Sequence, residues 1–178
     1  MKFLSAIREP TKLINSLRLS AAATGTRLRD VPVVATAHCR IERHRTARLE
    51  IGGRLFLGCF EPAVGRIAAH AASTEIRLAE SAVMRCDGVV QLGPGVRVTV
   101  GRHARLVIGG GTYVTCDSVI IAASSVRIGA GCAISWGVQI LDTNFHKPAG
   151  NDTGAEPVEI EDRVWICLLY TSPSPRDS

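Results

Sequence analysis

A beat of six residues runs through the chain from about residue 31 to residue 166. A branched residue is preceded two positions earlier by another apolar or small one, and the next such pair follows about six positions on. Ten pairs keep this beat, from Leu49/Ile51 and Leu55/Leu57 through Leu106/Ile108, Val126/Ile128, Cys132/Ile134 and Val138/Ile140 to Val164/Ile166. Residues two apart lie on one face of a strand, whereas a step of six is neither a helical period nor the alternation of a long strand. The chain must therefore turn after each short strand. Three strands then close a triangular coil of about 18 to 20 residues, and coils stack by parallel pairing so that equivalent side chains form ladders inside a narrow prism. Residues 47–53, ARLEIGG, return as ARLVIGG at 104–110, an offset of 57 that reads as about three periods of 19. Gly52, Gly58, Gly101, Gly109 and Gly129 directly follow branched residues, where a corner favours a residue without a Cβ. Between residues 60 and 100 the beat is looser, and Met84, Cys86 and Val90 have no assigned place.

Composition suits such a core. Of 178 residues 46% are apolar but only 4% aromatic, so the interior must be built from Val, Ile, Leu, Ala and Gly. The formal charge of +5 is scattered rather than massed, which argues against a nucleic-acid partner. Six cysteines stand far apart with no C-x-x-C pair, as expected of reduced thiols in a cytoplasmic protein. No window approaches a membrane-spanning segment, and the first ten residues are too short an apolar run for a signal peptide.

Residues 1–30 differ from the rest. Phe3, Leu4 and Ile7, then Leu13, Ile14 and Leu17, fall near helical spacing on either side of Pro10, which predicts two short helices or one broken one. With Lys2, Arg8, Lys12 and Arg18 the stretch is a basic amphipath, suited to weak peripheral contact with an anionic membrane. The favoured reading is that its apolar face caps one end of the main domain.

The six-residue beat is the hexapeptide-repeat pattern, and the chain resembles the left-handed parallel β-helix acyltransferases over roughly residues 31–166. It looks most like the sugar O-acetyltransferases of the maltose and exopolysaccharide type, on IGAGCAISWGVQILDTNFHKP at 128–148 and PVEIEDRVWI at 157–166. The resemblance implies an all-β, left-handed parallel β-helix with a short helical N-terminal segment. It also implies a homotrimer with sites between neighbouring prisms, acetyl-CoA as co-substrate, and a sugar or glycolipid acceptor.

Between Ile140 and Val158 the beat is suspended, and a loop that interrupts a regular solenoid is a natural place for function. It contains His146. Acyl transfer from a thioester to a hydroxyl needs a base, and imidazole titrates nearest neutral pH. In the resembling enzymes a histidine at this point of the motif is that base, without a covalent intermediate; an ordinary solvated loop histidine is the alternative. Asp142, four residues earlier, is placed to orient the imidazole, and Asn144 to donate to the acceptor or the thioester oxygen. Either can equally be Asx turn chemistry. Trp165, in the V-W-I motif, either walls the acceptor or pantetheine channel or packs against a neighbouring subunit. His38, His44, His70 and His103 do not share a coil register with His146, so no metal site is expected. Cys132 occupies an inward position and is not read as a nucleophile.

Residues 167–178, CLLYTSPSPRDS, break the motif and resemble a translated sequencing-library adapter. The sequence thus divides into an N-terminal helical segment (1–30), a truncated β-helix (31–166) and a non-native, disordered tail (167–178), and the chain as written is expected to be inactive. Two other function classes fit a β-helix: a non-catalytic scaffold, and a metal-dependent hydratase of the carbonic-anhydrase-like kind.

Overall fold

The computed structural model describes residues 10–24, 32–36, 38–59, 73–143 and 154–167. One helix, α1 (Pro10–Thr24), precedes a run of short strands. The first coil holds β1 (Val33–Ala35), β2 (Cys39–Arg43) and β3 (Arg48–Ile51); the second holds β4 (Arg54–Leu57), β5 (Thr74–Leu78) and β6 (Val83–Cys86). The third is β7 (Val89–Leu92), β8 (Arg97–Val100) and β9 (Arg105–Ile108), and the fourth β10 (Tyr113–Val114), β11 (Val119–Ala122) and β12 (Ser125–Ile128). The fifth is β13 (Ala133–Ile134), β14 (Gln139–Leu141) and β15 (Val158–Ile160), and β16 (Trp165–Ile166) begins a sixth.

Every third strand pairs in parallel with the one before it, giving three sheets: β1-β4-β7-β10-β13-β16, β2-β5-β8-β11-β14 and β3-β6-β9-β12-β15. These are the three faces of a triangular prism, the architecture of a left-handed parallel β-helix. The pairs that keep the beat point inward. Leu55, Leu57, Leu106, Ile108, Ile120, Val126, Ile128, Cys132 and Ile134 are all essentially inaccessible. So are Met84, Cys86, Val90 and Leu92, which stack on the same ladders: Met84 lies between Leu49 and Leu106, and Val90 beside Leu55.

The looser beat before residue 100 has a physical cause: the second coil is lengthened. Ile41 pairs with Ile76, 35 residues on, whereas Ile76 pairs with Val98 only 22 on and Leu106 with Val126 only 20 on. The offset of 57 between the two ARL segments therefore corrects to two coils, because Leu49 reaches Leu106 through Met84 alone. A second lengthening lies in the fifth coil, where Val126 pairs with Val158, 32 residues on.

Corners bring successive coils close. A Cβ on Gly109 would sit 2.4 Å from the backbone nitrogen of Ala130, so close stacking rather than backbone conformation keeps that position glycine. Two positions later the requirement is conformational: Gly111 and Gly131 have φ of 77° and 67°.

The described helix, Pro10–Thr24, carries the second apolar group, Leu13, Ile14 and Leu17; the first, Phe3, Leu4 and Ile7, lies outside the described residues. The helix lies along the free edge of β1. The Ser16 hydroxyl accepts the Ala35 N–H (3.0 Å) and the Ser20 hydroxyl accepts the Val33 N–H (3.1 Å). Those hydroxyls donate back to the Ala35 and Val33 carbonyls, and Asn15 donates to the carbonyl of Thr36. Four residues of helix rise about 6 Å and two residues of strand about 6.6 Å, so a Ser pair at i, i+4 matches the outward-facing groups of a sheet edge. Leu19 closes the interior beneath.

Candidate functional site

The lengthened fifth coil holds the candidate residues Asp142, Asn144 and His146. Its additional residues fall between β14, on the second face, and β15, on the third. Its foot is pinned: the Glu156 N–H donates to the Asp142 carbonyl at 3.0 Å, tying the outgoing and returning strands together.

Asp142 does a second thing at the same place. Continuing the register of β11 and β14 sets it beside Ala122, at an inward position that Leu78 and Val100 fill in earlier coils. It is 5% exposed. The corner above it is two residues shorter than its counterpart one coil earlier, since Ala122 to Val126 spans four residues where Val100 to Leu106 spans six. The shortened corner turns three N–H groups toward the next coil, and the Asp142 carboxylate takes all three. Oδ1 accepts from Ala123 (2.6 Å), and Oδ2 from Ser124 (2.6 Å) and Ser125 (2.8 Å). Charged acceptors on backbone N–H groups make strong bonds, so Asp142 locks the corner and the foot of the loop at once. Among the described residues Oδ2 thus accepts two N–H groups and Oδ1 one. His146 and Asn144 lie outside the described residues.

Trp165 is where the sixth coil begins, pairing with Ala133 on the outer side of the first face, and is 73% exposed. Trp136 stands at the corner between the first and second faces, also exposed, in the turn whose Gly137 N–H donates to the Cys116 carbonyl. Sequence reasoning did not single out Thr115, beside that corner. Among the described residues its hydroxyl is the buried side-chain polar atom without a hydrogen-bond partner, although Thr115 occupies an outward position on β10's edge. No spacing signal could have marked it.

The cysteines are free thiols. Burial, with Asp87 alongside, pushes the Cys86 thiol up to about 12, so it stays protonated at neutral pH; the buried Cys132 thiol donates to the Glu161 carbonyl at 3.1 Å. Among the described residues no group of three or more His, Cys, Asp or Glu side chains is arranged to hold a metal ion, and no helix is long and apolar enough to cross a membrane.

A parallel β-helix interrupted by one pinned loop beside a corner-locking carboxylate defines the architectural class. Over 69 residues the chain is 32% identical to an uncharacterised 24.8 kDa protein in the cps region of Klebsiella pneumoniae. The match covers 39% of this chain and 31% of that protein, so the chain spans about a third of the length of the relative it matches. No family model matches the chain. No solved structure matches it.

Proposed function

We propose that this β-helix belongs to an acyl-CoA-dependent O-acetyltransferase acting on a hydroxyl of a sugar or a cell-surface polysaccharide precursor. The observation that carries the reading is the loop at residues 144–153, with Asn144 and His146 in the stretch LDTNFH, rooted on a foot that Asp142 and Glu156 hold rigid. Similarity to a protein of the cps region, a polysaccharide locus, supports the acceptor class.

In this reading the imidazole of His146 takes the proton of the acceptor hydroxyl as its oxygen attacks the thioester carbonyl of acetyl-CoA. The new C–O bond forms, the C–S bond breaks, and the proton passes to the departing CoA thiolate. Asp142 fixes the loop from which His146 acts, Asn144 donates to the acceptor or to the thioester oxygen, and Trp165 walls the donor channel. A homotrimer would complete the site. Its support is the second face, whose outward positions change from Arg40, Glu42, Glu75 and Arg77 in the first two coils to half-buried Val119 and Ile121 in the fourth, and exposed Gln139 with half-buried Leu141 in the fifth. An apolar strip on an outer sheet face suits a second copy.

Thiol release from acetyl-CoA in the presence of a panel of sugars tests the reading. His146→Ala should lower kcat by about 10² to 10⁴ while leaving acetyl-CoA affinity intact, because a general base acts in the transition state. Undiminished turnover in that variant removes the assignment.

A further inference from the structure

We infer that the end of the prism closed by α1 is a docking surface for an anionic lipid bilayer. The helix hydrogen-bonds β1 as a preceding strand would, so it takes the place of a coil, and among the described residues its opposite side is the end of the prism. On that side Ile14 is 66% exposed, with Arg18 one turn further on and also exposed. Around the rim the first coil presents Arg43, Arg45 and Arg48, all exposed. Arg43 and Arg45 form no ion pair with a described residue, and the Arg48–Glu50 contact is long, at 3.9 Å.

The charge is segregated along the axis. Described residues 38–54 hold five arginines, Arg40, Arg43, Arg45, Arg48 and Arg54, against Glu42 and Glu50, whereas 154–167 hold Glu156, Glu159, Glu161 and Asp162 against Arg163 alone. A molecule so divided is oriented by a negative surface, basic end inward. An exposed apolar side chain on a basic end fits the headgroup boundary, where the helix lies in the interface and arginines reach the headgroups. A nucleic acid would favour a basic groove with exposed aromatic rings to stack bases. The aromatic ring nearest this end among the described residues, Phe56, is buried.

The test is co-flotation of the full chain with vesicles of phosphatidylcholine alone and of phosphatidylcholine mixed with phosphatidylglycerol. Binding is expected only to the second, and it should fall as salt is raised. Each arginine near such a surface contributes about a fivefold factor, so Arg43→Glu with Arg45→Glu should weaken binding by at least about tenfold. Ile14→Ser should weaken it by a smaller factor, and Glu159→Lys at the far end should leave it unchanged. All four positions are solvent-exposed, and an unchanged circular dichroism spectrum confirms that the variants fold. Equal binding to both kinds of vesicle, or wild-type binding by the double arginine variant, would overturn the inference. So would complete release of vesicle-bound protein by a short DNA duplex, which would make this end a nucleic-acid site.

Discussion

The two ends of the prism are built from the same kind of inward ladder but differ in how well it is sealed. At the N-terminal end Val33 and Ala35, on the first face, are inaccessible even though they belong to the first coil, because Leu19 packs beneath them and two serines satisfy the β1 edge, whereas Ile41 and Ile51, on the other two faces of that coil, are half-buried. At the other end Val158, Ile160, Val164 and Ile166 occupy equivalent positions and are only half-buried. An inward residue of a β-helix is thus buried by the coils on both sides of it, not by its own coil. On the first face of the first coil a helix supplies what a further coil would.

The largest effect that would break this comparison comes from the middle, where both neighbours are present. Ile134, stacked between Val114 and Ile166, is inaccessible, and Ile134→Asp would bury an unpaired charge. The loss should exceed about 4 kcal/mol and abolish folding, seen as loss of the strand signal in circular dichroism and of a cooperative melt. A native melt in that variant would mean that the ladder does not point inward.

The ends themselves are compared by matched truncations read from urea midpoints. Leu19→Ala should cost about 2 to 3 kcal/mol, as a buried leucine does, whereas Ile166→Ala should cost about 1 kcal/mol because its side chain has less to lose. Equal losses would show that the helix contributes no seal. Smaller than the Leu19 loss is that of Ser20→Ala, which leaves the buried Val33 N–H without its acceptor and should cost about 1 to 2 kcal/mol. Ser20→Thr, which keeps a hydroxyl, should recover part of that loss in the same urea titration; if it recovers none, volume rather than the hydrogen bond is what matters there. The exposed ion pairs on the outer faces, such as Arg127–Glu159 at 3.2 Å, add little to either end.

Much of this was legible in the amino-acid order. A two-apart pair repeated every six residues admits few shapes, and the inward sides of β9 to β14 follow from it directly. What blurred the reading was chain length, not chemistry. The 13 residues by which the second coil exceeds the third hid the place of Met84, Cys86 and Val90 and made two coils look like three periods. The role of Asp142 was beyond reach for another reason. Its partners, Ala123 to Ser125, lie one coil away and attract it with backbone N–H groups, which every sequence possesses and none advertises. The same holds for Ser16 and Ser20, whose meaning depends on an edge strand that the helix had yet to meet. His146 and Asn144 were named from a motif, and they lie outside the described residues.

Both lengthened coils rejoin the prism without disturbing it: β5 falls into register beside β2, and β15 beside β12. Any excursion from such a prism therefore has an address consisting of one corner out of three and one floor in the stack. The two excursions here leave from different corners, after β4 and after β14, three floors or about 14 Å apart along the axis. Duplicating or deleting a single floor between them would change that separation by about 4.8 Å while leaving each excursion's own sequence and footing untouched. A lineage built on this plan can thus adjust how far apart two working loops stand, as if on a ruler, by copying whole turns of chain rather than redesigning either loop.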